Sequence, residues 1–123
     1  TGIGYLALNA NTTGDRNVAL GSLALDANTT ADGNTALGYA ALTSNTTAEV
    51  NTAVGFHALR LNVAGTSNTA IGALALDSNT ASNNTAVGYN VLASNTTGSE
   101  NTSVGRLSLD ANTTGGDNVA IGN

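Results

Sequence analysis

The feature that most constrains this chain is a five-residue phrase that returns along its whole length. It reads Asn34-Thr35-Ala36-Leu37-Gly38, and then begins again at Asn51, Asn68, Asn84 and Asn101, with valine-bearing versions from Asn17 and Asn118. The phrase ends on Gly21, Gly38, Gly55, Gly72, Gly88, Gly105 and Gly122, and Gly4 closes one further partial copy. Successive glycines are 17 residues apart, except that Gly72 and Gly88 are 16 apart. A fixed period over the whole chain marks a repeat architecture, in which each unit buries its apolar side only by stacking on its neighbours.

Columns of this repeat separate by character. Immediately before the glycine stand Ile3, Leu20, Leu37, Val54, Ile71, Val87, Val104 and Ile121, all aliphatic. Four residues after it stand Leu8, Leu25, Leu42, Leu59, Leu76, Leu92 and Leu109. These two columns are the expected core. A small residue, usually alanine, precedes each member, which gives the alternation of a strand. The apolar run after the glycine is too short for a confident helix. Two short strands and a longer turn per repeat are therefore expected. The fold class that follows is all-β, a parallel β-solenoid of 17 residues per coil and about seven coils.

Two further columns are unbroken asparagine. One is Asn11, Asn28, Asn45, Asn62, Asn79, Asn95 and Asn112; the other is Asn17, Asn34, Asn51, Asn68, Asn84, Asn101 and Asn118. Asparagine suits turns and left-handed backbone, and stacked amides can bond up and down a ladder. Both columns are expected to be structural ladders. The residues between them vary, hold Asp15, Asp32, Glu49, Glu100 and Asp117, and take the one-residue deletion. That places an exposed turn there.

Two aliphatic columns make a thin core for 123 residues. Packing of several chains through a column of small residues is the expected remedy, with Ala36, Ala53, Ala70 and Ala86 at the interface of a homo-oligomer. Both chain ends fall inside a repeat. Residues 1–123 are accordingly read as one solenoid segment of a longer fibrous protein.

Arg16 to Leu20 with Gly21, and Asp117 to Ile121 with Gly122, resemble the Asn-Ser-Val-Ala-Ile-Gly head repeat of trimeric autotransporter adhesins, and the resemblance extends over every repeat. The Asn-Thr-Ala-Val-Gly and Asn-Thr-Thr phrases are similar to those of phage-type tail fibres. The adhesin resemblance implies a left-handed β-roll, a tight homotrimer, and display on a bacterial surface for binding host or matrix ligands. This chain's period is longer than that family's, with the added residues in the Asn-Thr turn.

The expected function is a structural or adhesive fibre segment, extracellular, on a cell surface or virion. The alternatives are a self-assembling extracellular filament and an ice-binding solenoid using the Thr12, Thr29, Thr46, Thr80, Thr96 and Thr113 column. The expected partners are other copies of the chain and a surface or matrix ligand. Three arginines, no lysine and a net charge of −5 leave too little basic surface for nucleic acid. No apolar run reaches membrane-spanning length. A lone histidine, His57, stands in a mostly leucine column, and cysteine is absent, so no usual zinc set exists. No phosphate loop can be written without lysine. Catalytic, cofactor and metal sites are therefore not expected. Tyr5, Tyr39, Phe56 and Tyr89 directly follow their glycines and are expected to pack along the rod or between chains.

Overall fold

The computed structural model describes all residues, 1–123. It contains eight short strands: β1 (Gly2–Ile3), β2 (Val18–Leu20), β3 (Thr35–Leu37), β4 (Thr52–Val54), β5 (Thr69–Ile71), β6 (Thr85–Val87), β7 (Thr102–Val104) and β8 (Val119–Ile121). They form one parallel sheet in simple sequence order. The chain is a parallel β-solenoid of about seven turns with no helix. Coils stacked at the usual strand separation give a rod about 34 Å long.

Register is strict. Thr35, Ala36 and Leu37 pair with Thr52, Ala53 and Val54. The shortened coil changes nothing here, since Thr69, Ala70 and Ile71 pair with Thr85, Ala86 and Val87. The missing residue is lost from the turn, where no strand register depends on it.

Each coil holds one strand, not two. The segment after the glycine, expected as a second strand, is a turn that places non-glycine residues in left-handed backbone twice. Leu25, Leu42, Leu59 and Leu76 have φ between 50° and 53°, and Leu23, Ala40, His57 and Leu74 between 53° and 61°. The alternation seen in the sequence is real, but it belongs to a winding turn whose N–H groups still bond the neighbouring coils, as Leu42 does to Ala58 O at 3.1 Å.

The core corrects the expected one by half. The leucine column is inside: Leu25, Leu42, Leu59, Leu76 and Leu92 are fully buried, with Leu8 and Leu109 partly buried at the ends. The other aliphatic column is outside. Ile3 is 60% exposed, Leu20 44%, Leu37 40%, Ile71 41% and Ile121 79%, while Val54, Val87 and Val104 are half-buried. In its place the strand turns alanine inward. Ala19, Ala36, Ala53, Ala70 and Ala86 are buried, together with Ala24, Ala41, Ala58, Ala75 and Val91. The reason is steric. Only one phase of a strand can face inward, and across this narrow coil a leucine leaves room only for a methyl group. Interiors reject both voids and overpacking. The expected interface column of Ala36, Ala53, Ala70 and Ala86 is thus the chain's own core, not a surface.

Marker glycines sit at the corner between strand and turn. Gly55 has φ +140°, and a Cβ there would lie 2.5 Å from Gly72 O of the next coil. Gly33 has φ +69°, and a Cβ there would make only an ordinary contact with Val50 Cγ2 at 3.9 Å, in a column whose other members include Arg16 and Glu100. Gly55→Ala is therefore expected to cost about 3 kcal/mol or more, and Gly33→Ala only about 1 kcal/mol. Thermal melts of the two variants against the parent check the contrast.

Candidate functional site

No enclosed cavity is present. The coil's internal chemistry decides which side chains reach the outer surface.

Of the 33 buried residues, 13 are polar. Asn28, Asn45, Asn62, Asn79 and Asn95 are fully buried in one column, and Asn34, Asn51, Asn84 and Asn101 in the other. In the first, Asn28 Nδ2 donates to Asn11 Oδ1 at 2.7 Å, Asn45 to Asn28 at 3.0 Å, Asn95 to Asn79 at 2.7 Å and Asn112 to Asn95 at 2.9 Å. This is the amide ladder that the sequence leads one to expect. The second column works differently. Asn34 Oδ1 accepts the backbone N–H of Asn51 at 2.9 Å, and Asn51 Oδ1 accepts that of Asn68 at 3.0 Å. Neither column is left-handed; the residues just before the second one are, as at Arg16, Val50, Ser67 and Glu100.

The two columns converge on a third that sequence reasoning missed. Ala48 O accepts Nδ2 donors from Asn45 at 2.9 Å and from Asn34 of the preceding coil at 3.0 Å. Gly65 O accepts from Asn62 at 2.8 Å and from Asn51 at 2.9 Å. Gly98 O accepts from Asn95 at 2.8 Å and from Asn84 at 2.9 Å. The residue at this point is always small: Gly14, Ala31, Ala48, Gly65, Ala81, Gly98 and Gly115. That restriction was the visible signal, hidden by the variable residues on either side.

With the asparagines facing in, three surfaces remain. The first is the strand face. Its outward rows are Val18, Thr35, Thr52, Thr69, Thr85, Thr102 and Val119, and beside them the aliphatic column from Ile3 to Ile121; neither row contains a charged residue. The second is the aromatic row across the glycine corner, where Tyr5, Tyr39, Phe56 and Tyr89 are exposed. Tyr39 and Phe56 stack with centroids 5.5 Å apart, and His57 lies 3.9 Å from Phe56. The expected packing along the rod is thus present at this pair. Arg106 lies 6.0 Å from the Tyr89 ring centroid. The third is the Asn–Thr edge. The hydroxyls of Thr12, Thr29, Thr80 and Thr96 donate to the carbonyl of the threonine in the next coil at 2.9–3.2 Å.

Charged groups pair once. Arg60 holds Asp77 of the next coil through Nε and Nη2 at 2.8 and 2.9 Å. Hydrogen bonding to Asp77 raises the guanidinium pKa above its already high ordinary value, so the arginine keeps its charge at any physiological pH. No group of three His, Cys, Asp or Glu side chains is placed to hold a metal ion.

Comparison with protein-family models, curated proteins and solved structures gives no match.

The ladder assignment has a direct consequence. Asn45→Ala removes donors to Asn28 and Ala48, which leaves the buried Asn28 Oδ1 without a donor and Ala48 O with Asn34 alone. It is expected to cost about 2–4 kcal/mol. Thr47→Ala, on the exposed edge with no side-chain hydrogen bond, is expected to stay within about 0.5 kcal/mol. Denaturant titration of both variants measures the difference.

Proposed function

We propose that this chain is a structural and adhesive fibre segment that works as a homotrimer, with the strand face turned toward the shared axis. One observation carries the reading: an uninterrupted row of outward aliphatic side chains runs the length of the rod from Ile3 to Ile121, with Ile3, Leu20, Leu37, Ile71 and Ile121 at least 40% exposed and Val54, Val87 and Val104 half-buried among them. Monomeric soluble proteins seldom leave a continuous apolar patch bare. All-parallel sheets, moreover, usually have both faces covered. Here alanine and leucine cover the inner face, and nothing in the chain covers the outer one. The aromatic row next to it widens the same apolar side. Identical coils stacked in register would bring equivalent rows of three copies together at every level, as closed symmetry requires. The similarity to adhesin and tail-fibre repeats supports the trimer and an extracellular setting. The opposite Asn–Thr edge would then face outward, toward a surface or matrix ligand.

A second reading rests on the same face. Thr35, Thr52, Thr69, Thr85 and Thr102 form an unbroken outward row beside the aliphatic one, a flat, uncharged and regularly spaced array of hydroxyl and methyl groups. Such an array suits ice. The Thr12 column is the poorer candidate, because its hydroxyls already donate within the rod.

Sedimentation decides between them. The parent chain is expected at three times the mass of one chain, and Val54→Glu with Ile71→Glu at the mass of one, still folded, since those side chains lie outside the coil. Ala53→Glu is expected to unfold the chain, because its carboxylate would sit unpaired in the core. A folded parent monomer with thermal hysteresis would replace the trimer by the ice-binding reading.

A further inference from the structure

The column directly after the marker glycine reads Tyr5, Ser22, Tyr39, Phe56, Ala73, Tyr89 and Arg106. A single methyl group, that of Ala73, therefore stands between two large rings, Phe56 in the preceding coil and Tyr89 in the next. Both rings are 50% exposed. They are two coils apart, about 9.6 Å at the usual strand spacing. Strand pairing keeps its register through these coils despite the shorter turn, so the gap is a fixed slot open to solvent.

Each wall is braced from the side away from Ala73. Tyr39 lies 5.5 Å from Phe56 and His57 lies 3.9 Å from it, yet Tyr39 and His57 are only 5.6 Å apart. Rings on opposite faces of Phe56 would be much further from each other, so both lie on one side of it. Tyr39 belongs to the coil before Phe56, which leaves the side toward Ala73 uncovered. Across the slot, Arg106 of the following coil lies 6.0 Å from the Tyr89 ring centroid.

Polar groups border the slot. His57 and Asn90 occupy the next column, one coil before and one coil after Leu74. Both are half-buried, and neither side chain is tied up in a hydrogen bond of the rod. The comparable gap over Ser22, between Tyr5 and Tyr39, is bordered by Leu6 and Ala40 and lacks such groups.

We propose that the slot over Ala73 binds a neutral pyranose ring of a glycan. The adhesive reading supplies the source of that glycan; the slot itself depends neither on it nor on the trimer. Width selects the ligand. A flat ring or nucleobase needs about 7 Å between two walls, at about 3.5 Å per contact, and would leave one face unfilled. A puckered ring with C–H groups on both faces is thicker and fills the space. The negative faces of Phe56 and Tyr89 attract those C–H groups, while His57 and Asn90 bond hydroxyls at the rim. A quaternary ammonium would meet the charge of Arg106, and a polyanion the chain's net charge of −5.

The test titrates the full chain with neutral tetrasaccharides of β-linked glucose, α-linked glucose and β-linked N-acetylglucosamine, followed by side-chain NMR signals and by sedimentation. At least one is expected to shift the Ala73 methyl and the Phe56 and Tyr89 ring signals saturably. Ala73→Tyr fills the slot with a residue that other coils carry in this column, so the variant should fold and keep its mass while its affinity falls about tenfold or more. Tyr5→Ala should bind as the parent does. The slot is overturned by the absence of a saturable shift with all of these sugars, or by unchanged affinity in Ala73→Tyr. It is also overturned if Tyr89→Ala changes the mass and not the affinity, since the aromatic row would then be a contact between chains. A monomeric parent that still binds would support the slot and contradict only the trimer.

Discussion

The structure depends on a carbonyl that accepts two asparagine amides. At Ala48, Gly65 and Gly98 one donor comes from the same coil and the other from the coil before it. Both lone pairs of a buried backbone oxygen are thereby engaged, which removes the penalty that makes buried peptide groups rare without partners. The same contacts tie each coil to the next. A turn of variable sequence can then pass over a closed interior, since its geometry is held by side chains beneath it and not by its own residues.

That arrangement explains why the apolar core can be so slight. Asparagine occupies the half of the coil under the turn, and alanine against leucine fills the half under the strand. Large aliphatics have no place inside on the strand side, so they lie outside in a row. Interior economy and exterior stickiness have one origin, namely the narrow coil. The same narrowness forces the corner glycines, whose next-coil carbonyls leave no space for a Cβ, and the left-handed leucines that turn the chain back within four residues.

Much of this was legible in the sequence, and the limits are instructive. Period, parallel stacking, the leucine core and the first asparagine ladder follow from columns that hardly vary. Ile71 and Val54 misled because hydrophobicity marks burial on average, whereas strand phase and available width decide it locally. Ala53 looked like a contact between chains for the same reason, being too small to suggest a core. Leu42 alternated with Ala41 as in a strand, yet left-handed backbone at leucine carries no propensity signal. The small-residue column through Ala48 and Gly65 was readable but lay inside a turn whose neighbours vary. The Arg60–Asp77 pair was also present as opposite charges in adjacent coils of one column.

Solvent exchange of asparagine side-chain amides, followed with nitrogen-15 labelling, tests the paired-donor interior most directly. The expected result is two populations. Asn28, Asn34, Asn45, Asn51, Asn62, Asn84, Asn95 and Asn101 lie fully buried, and their Nδ2 protons should exchange orders of magnitude more slowly than those of the exposed Asn9, Asn83 and Asn123. A single fast population, with every asparagine amide exchanging at the rate of Asn83, would contradict a coil closed from within by its asparagines.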